Sequence, residues 1–168
     1  PHWEMGGSTY FITYRCASEM TLSDAARTIV LDNWKYWHGK RYLLHAVVVM
    51  PDHVHILVTP RTKEGNWFTL EEILHTNKSF TAHEINKALN RFGQFWQDER
   101  FDRIMRNEEE FIEKWNYICN NPVKAGLVDK AEDYLWLYQN PEAWIEEEGE
   151  GRPSVSQVTG QRPVPPEY

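Results

Sequence analysis

The chain has 168 residues, 41% hydrophobic and 26% charged, with a formal net charge of −7. That size and balance fit one globular domain with a real core, and the acidity excludes a protein that binds nucleic acid through a globally basic surface. No run approaches the roughly 18 apolar residues of a membrane span, and the polar start Pro1-His-Trp-Glu is no signal peptide. No membrane partner is therefore expected, and the cytoplasm is the expected location. Cys16 and Cys119 lack metal-ligand spacing and fit a reducing compartment.

The elements read as follows. Thr9–Arg15, rich in β-branched and aromatic residues, is a strand. Thr21, with Asp24 three residues on, reads as a capping box that opens a helix to about His38, closed by Gly39. Arg41–Met50 and His53–Thr59 read as two strands joined at Pro51-Asp52, with proline suited to the first central position of a turn. Thr69 and Glu72 form a second capping box, starting a long helix to about Asn90 with Thr81 as a candidate break. Gln94–Met105, aromatic and short, reads as an edge strand or two. Asn107 and the three glutamates after it cap a third helix, which Pro122 is expected to end.

The order β-α-β-β-α-β-α predicts an α+β fold, a ferredoxin-like antiparallel sheet covered by helices on one face. Residues 1–144 form the expected domain. Residues 145–168, rich in Glu, Gly, Pro, Ser and Gln, read as an acidic flexible tail. From Pro141 to Tyr168 six acids stand against two bases, a net of −4 that leaves −3 for residues 1–140. Within that core, Ile73–Gly93 holds Lys78, Lys87 and Arg91 against Glu84 alone, enough for a local basic surface.

Two pairs of residues carry the chemistry. Side chains two apart on a strand share a face, so His53 and His55 point the same way and can grip one divalent ion. Tyr117 and Asn121, four apart on the third helix, also share a face. About 100° per residue places Phe111, Ile112, Trp115, Ile118 and Cys119 in one apolar arc, with Tyr117 roughly opposite it. Two imidazoles and the amide oxygen of Asn121 leave positions open for phosphate oxygens and water, as a catalytic site requires. A phenol is a poor nucleophile at neutral pH, so Tyr117 needs a cation, a base or a metal-activated phosphate; Lys114, one turn earlier, is placed to help. Polar histidines on an exposed sheet face and a tyrosine lying on a helix surface are the plain alternatives. Parity of the turn decides whether His45 joins the pair, and it is not counted as a ligand. Trp67 and Trp96 are the candidate stacking platforms for unpaired bases.

Several separated motifs occur together: Pro1-His-Trp-Glu, Thr9-Tyr-Phe-Ile-Thr, Val48-Val-Met-Pro-Asp-His-Val-His-Ile-Leu and Ile73-Leu-His-Thr-Asn-Lys-Ser-Phe-Thr-Ala82. Trp96-Gln-Asp-Glu-Arg-Phe-Asp-Arg-Ile104 and Tyr117-Ile-Cys-Asn-Asn-Pro-Val-Lys-Ala-Gly-Leu127 follow. In these the chain resembles the REP-associated tyrosine transposases, within the single-tyrosine HUH transposases of small insertion sequences. The resemblance covers about Pro1 to Trp144. It implies an HUH endonuclease fold with His53 and His55 as the histidine pair, Asn121 as third ligand and Tyr117 as nucleophile. It also implies Mg²⁺ or Mn²⁺ as cofactor, single-stranded DNA and DNA hairpins as partners, and a covalent 5′-phosphotyrosine intermediate with release of a 3′-OH.

Lys78, Lys87, Arg91, Arg103, Lys114 and Lys124 are the candidate DNA contacts, on a chain expected to act as monomer or homodimer. Two rivals share most of these features. A metal-dependent phosphoester hydrolase would use the histidines without Tyr117, and a non-catalytic hairpin-binding protein would keep the fold without cutting.

Overall fold

The computed structural model describes residues 7–141. The expected tail at 145–168 and the motif at residues 1–4 lie outside them. The elements are β1 (Tyr10–Arg15), α1 (Asp24–Tyr36), β2 (Tyr42–Val49), β3 (His53–Pro60) and a two-stranded ribbon of β4 (Thr62–Lys63) and β5 (Asn66–Trp67). After these come α2 (Leu70–Ala88), β6 (Phe101–Ile104), α3 (Glu108–Lys124), a short 3-10 turn at Ala131–Asp133 and β7 (Leu137–Gln139).

Five strands form one antiparallel sheet in the order β6-β1-β3-β2-β7. The first four reproduce the split β-α-β-β-α-β arrangement of a ferredoxin-like fold. The fifth, β7, adds an edge strand beside β2 that the sequence pattern did not reveal.

The expectation that helices cover one face is corrected. Tyr10, Ile12, Tyr14, Val47, Val49, Val54, Ile56 and Val58 pack with residues of α1 and α2, including Val30, Trp34, Ile73 and Ile85. Phe11, Ala46, Val48 and Leu57 point the other way, onto Phe111, Trp115, Ile118 and Cys119 of α3. Alternate side chains of a strand face opposite sides, so a strand apolar at nearly every position needs cover on both. β2 is such a strand, buried at all 8 positions. Each large apolar side chain fully buried in these two cores contributes about 1.5–3 kcal/mol over exposure.

Local rules explain most boundaries and correct three. The Ser23 hydroxyl accepts from the amide of Ala26 and caps α1; Thr21 is not the cap. At α2 the box forms as expected, Thr69 accepting from the Glu72 amide while the Glu72 carboxylate accepts from the Thr69 amide. Thr81 does not break that helix, because its hydroxyl donates to the carbonyl of Asn77 at 2.6 Å and stays within the turn. Pro122 does not end α3, which runs on to Lys124. A proline so near the C-terminus removes one donor only, and the next amides are satisfied: Ala125 donates to the Asn121 carbonyl at 3.0 Å and Leu127 to that of Pro122 at 2.9 Å. No helix among the described residues is long and apolar enough to cross a membrane.

Candidate active site

The β2–β3 turn is fixed from three sides. Met50 donates to the His53 carbonyl at 2.8 Å, closing the turn over Pro51-Asp52 as expected. The Leu22 amide donates to Pro51 at 2.6 Å and the Cys16 amide to Asp52 at 2.9 Å. A turn held this way delivers the first residues of β3 in one orientation.

His53 and His55 share a face, their ring centroids 4.6 Å apart. They lie on the α3 side of the sheet, since His55 stacks on Phe11 at 5.5 Å with a 20° interplanar angle. Each imidazole has its Nδ1 engaged. That of His53 is bonded to the Asp52 carboxylate, which is drawn below the usual carboxylate range by this bond and the Arg15 guanidinium. That of His55 is bonded to the Thr13 hydroxyl at 2.7 Å, across the β1–β3 ladder where the two residues are paired.

His55 is 4% exposed, and its Nε2 is buried without a hydrogen-bond partner among the described residues. Its pKa is pushed down to about 3, first by burial and then by His53, Arg15 and Lys114. The ring is neutral at physiological pH. A neutral imidazole bonded through Nδ1–H presents a lone pair at Nε2, the form that ligates a metal.

Helix α3 brings the second pair to this place. Tyr117 is 40% exposed, but its ring is not loose on the surface. It meets His55 edge-on at 5.2 Å and Phe11 at 5.9 Å. The Lys114 ammonium lies 5.5 Å from the Tyr117 ring and 5.0 Å from Phe11. Asn121 follows Tyr117 by one turn on the same flank, half-buried. Histidine strand and tyrosine helix, distant in the chain, thus converge over Phe11.

His45 also reaches the α3 side, by a route that turn parity could not reveal. The β2–β3 register shifts between Leu44 and Ala46, making His45 the extra residue of a bulge. Its Nε2 bonds the Thr59 hydroxyl at 2.7 Å, its ring meets Phe111 edge-on, and it is wholly buried away from the pair. It is a packing residue.

The six candidate cations divide. Lys114 and Lys124 are on α3; Arg103, opposite Phe11 on β6, shares Phe11's face and pairs with Glu110 at 3.0 Å. The other three belong to α2 and the loop after it, across the sheet. Lys78 is committed to structure, its ammonium donating to the Gln97 carbonyl at 2.6 Å. Arg91 donates to the Asn86 side chain at 2.7 Å and to the Gln94 carbonyl, while Lys87 is exposed. Trp96 is no stacking platform: it is buried edge-on against Tyr14, and its indole donates to Thr81 at 3.0 Å. Trp67 does stand exposed, on β5.

Sequence reasoning missed Asp52, Thr13 and Phe11. Asp52 adjoins the pair and was legible as an acid beside a histidine. Thr13 and Phe11 become neighbours only through the β1–β3 register.

The chain is similar to known proteins in sequence and in fold. Residues 25–121 match the family model described as "Transposase IS200 like". A Haemophilus influenzae protein that carries the name REP-associated tyrosine transposase is 25% identical over 103 residues. The chain spans about half (56%) of that relative's length, and the match covers 56% of this chain. Among solved structures, a REP-associated tyrosine transposase bound to a REP hairpin superposes with a TM-score of 0.67 at 20% identity, covering 82% of this chain and 79% of that one. A bacterial tRNA(His) guanylyltransferase-like protein in complex with GTP gives 0.52 at 11% identity, covering 77% and 70%. At these identities the structural likenesses establish the fold. The family match spans more than half of the chain and includes both histidines, the tyrosine and the asparagine, and the chain belongs to the IS200-like transposase family.

Proposed function

We propose that this transposase is a metal-dependent single-stranded DNA strand transferase that binds a DNA hairpin and cleaves and rejoins the flanking strand through Tyr117. The observation that carries the reading is the seating of the Tyr117 ring against His55, whose buried Nε2 has no partner among the described residues.

The residues fit a divalent cation. His53 and His55 both offer Nε2 with Nδ1 already engaged, and Asn121 adds a neutral oxygen from the tyrosine's own helix. Two imidazoles and an amide suit Mg²⁺ or Mn²⁺ with positions left for phosphate oxygens. When bound, the cation supplies a Lewis acid that polarises the phosphodiester.

The chain's own groups do the rest. Phe11 and His55 hold the Tyr117 ring on the flank of α3, so little orientational freedom is lost on reaction. The Tyr117 oxygen attacks phosphorus in line, the P–O3′ bond breaks, and the phenolic proton passes to solvent while the departing 3′ oxygen takes one up. Lys114 offsets the negative charge that gathers on the phenol oxygen as its proton leaves. The product is a 5′-phosphotyrosyl ester and a free 3′-OH. A 3′-OH attacking that ester reverses the step, so bond energy is conserved and no nucleotide cofactor is consumed. The hairpin enters by likeness to the related structure that holds one.

The test is a hairpin oligonucleotide with a labelled single-stranded flank, incubated with Mg²⁺ or Mn²⁺. The proposal expects one strand product ending in a 3′-OH and the other retained on protein. A free 5′-phosphate with no retained strand would make the protein a hydrolase, and an uncut hairpin–protein complex would make it a binding protein.

A further inference from the structure

The end of the sheet remote from the histidine turn carries a surface that the proposed chemistry does not use. The segments at residues 35–41 and 61–68 contain five bases (Lys35, Lys40, Arg41, Arg61 and Lys63) and one acid, Glu64. That is a local net of +4 in a chain of −7. The fold joins the two segments, with the Arg61 amide donating to the Arg41 carbonyl at 2.9 Å and its guanidinium to the Gly39 carbonyl at 3.1 Å.

Aromatic rings alternate with these cations. The Lys40 ammonium lies 3.4 Å from the Tyr36 ring centroid, and the Arg41 guanidinium sits 4.4 Å over Trp37 and 5.3 Å over Phe68. The ribbon's turn, Glu64 and Gly65 with φ of 52° and 82°, is the two-residue kind that hairpins use; it places Lys63 and Trp67 at the surface, with one edge of the Trp67 ring against Gly7. Tyr36 and Trp67 remain 60% and 47% exposed. Glu72 is close enough to feel Arg41 and Lys63, but its carboxylate is committed to the Thr69 cap.

Bases interleaved with exposed rings form a surface for phosphate and unpaired base together: cations neutralise the backbone while a ring stacks on a base of any identity. Cation–ring contacts alone would leave the outer bases uncompensated. The separation from the site is also informative. β3 runs from His53 to Pro60, and the seven steps between its first and last residues, at about 3.3 Å each, cover roughly 23 Å. At about 3.4 Å per nucleotide step, that is roughly seven base pairs.

We infer that this patch holds the apical end of the same DNA hairpin, with Lys40, Arg61 and Lys63 on stem phosphates and Trp67 stacked on an unpaired loop base. The inference rests on the hairpin reading above and gives it a location and a length.

The test uses the full chain, hairpins with stems of four, seven and ten pairs, and 2-aminopurine in the loop. Lys40→Gln/Arg61→Gln/Lys63→Gln should lose about tenfold or more in affinity for the seven-pair hairpin. The slope of log affinity against log salt should fall by roughly 2–3, about 0.9 per lost phosphate contact. Binding of the single-stranded flank without a stem should be unchanged. Trp67→Ala should abolish the loop quenching that the wild type shows most strongly with seven pairs. Should the triple variant melt early, Lys40→Gln/Lys63→Gln alters only exposed lysines and should lower the slope by about 2. Wild-type affinity and slope in a folded variant would overturn the patch while leaving hairpin binding intact. A wild type that binds no hairpin would overturn both.

Discussion

The Tyr117 ring meets the His55 imidazole edge-on with centroids 5.2 Å apart, although one belongs to α3 and the other to β3. The contact depends on α3 lying on the sheet face opposite α1 and α2. A third helix on the same face as the first two would leave the histidines without the tyrosine.

Tyr117→Phe should leave the fold and hairpin affinity nearly unchanged, because the phenyl ring keeps its contacts with Phe11 and His55. Only the hydroxyl of a partly exposed side chain is removed, within about 0.5 kcal/mol of neutral. Strand cleavage should fall below detection. Thermal melting, hairpin binding and single-turnover cleavage check the three parts separately.

His53→Ala and His55→Ala should each eliminate metal-dependent cleavage, and a chelator should do the same to the wild type. Asn121→Ala should be milder, because a water can replace a neutral amide oxygen. The histidine variants should differ in stability. His55 is buried on Phe11, so its loss strands the Thr13 hydroxyl and opens a cavity, costing about 2–4 kcal/mol. Denaturant melts of the two proteins decide this.

Thr13→Val keeps the shape of the side chain but withdraws the partner of His55 Nδ1. Divalent-ion affinity should drop about 10–100-fold, and Thr13→Ser should restore most of it. Calorimetric titration with Mn²⁺ reads the effect without any DNA. Equal affinities in the valine variant and the wild type would remove Thr13 from the site.

The depressed pKa of His55 has a stability consequence with a definite sign. The unfolded chain protonates this histidine near 6.5 and the folded chain only near 3, so the unfolded state binds more protons between those values. In metal-free protein, stability should fall as pH drops from about 6.5 towards 3. His55→Gln should flatten that part of the profile. A parallel profile in the variant would show that other groups set the dependence.

How far the sequence carries the site follows from periodicity. His53 and His55 were legible because strand period two puts them on one face, and Tyr117 with Asn121 because helical period does the same. Periodicity alone does not bring the two pairs together, since that depends on which side of the sheet α3 takes; the family resemblance is what implied one site. The signal was present in Tyr42-Leu-Leu-His-Ala-Val-Val-Val, too continuously apolar for a strand with one wet face. β7 has only three residues, too few for any pattern. The α1 cap fell to Ser23 over Thr21, two positions away, a choice that residue preference alone does not make. Cations taken from a run of sequence, as Lys78 and Arg91 were, proved to be anchors for backbone and side-chain oxygens. Lys40 comes beside Arg61 and Lys63 only through the fold, where Arg61 bonds the carbonyls of Arg41 and Gly39.

The most direct test is to capture the protein–DNA product of a hairpin substrate under denaturing conditions, digest it, and locate the modified residue by mass spectrometry. The account predicts one peptide carrying a 5′-phosphorylated nucleotide ester-linked to Tyr117, formed only with divalent ion and absent from Tyr117→Phe. Cleavage that proceeds with no covalent species, or an adduct on any other residue, would contradict it.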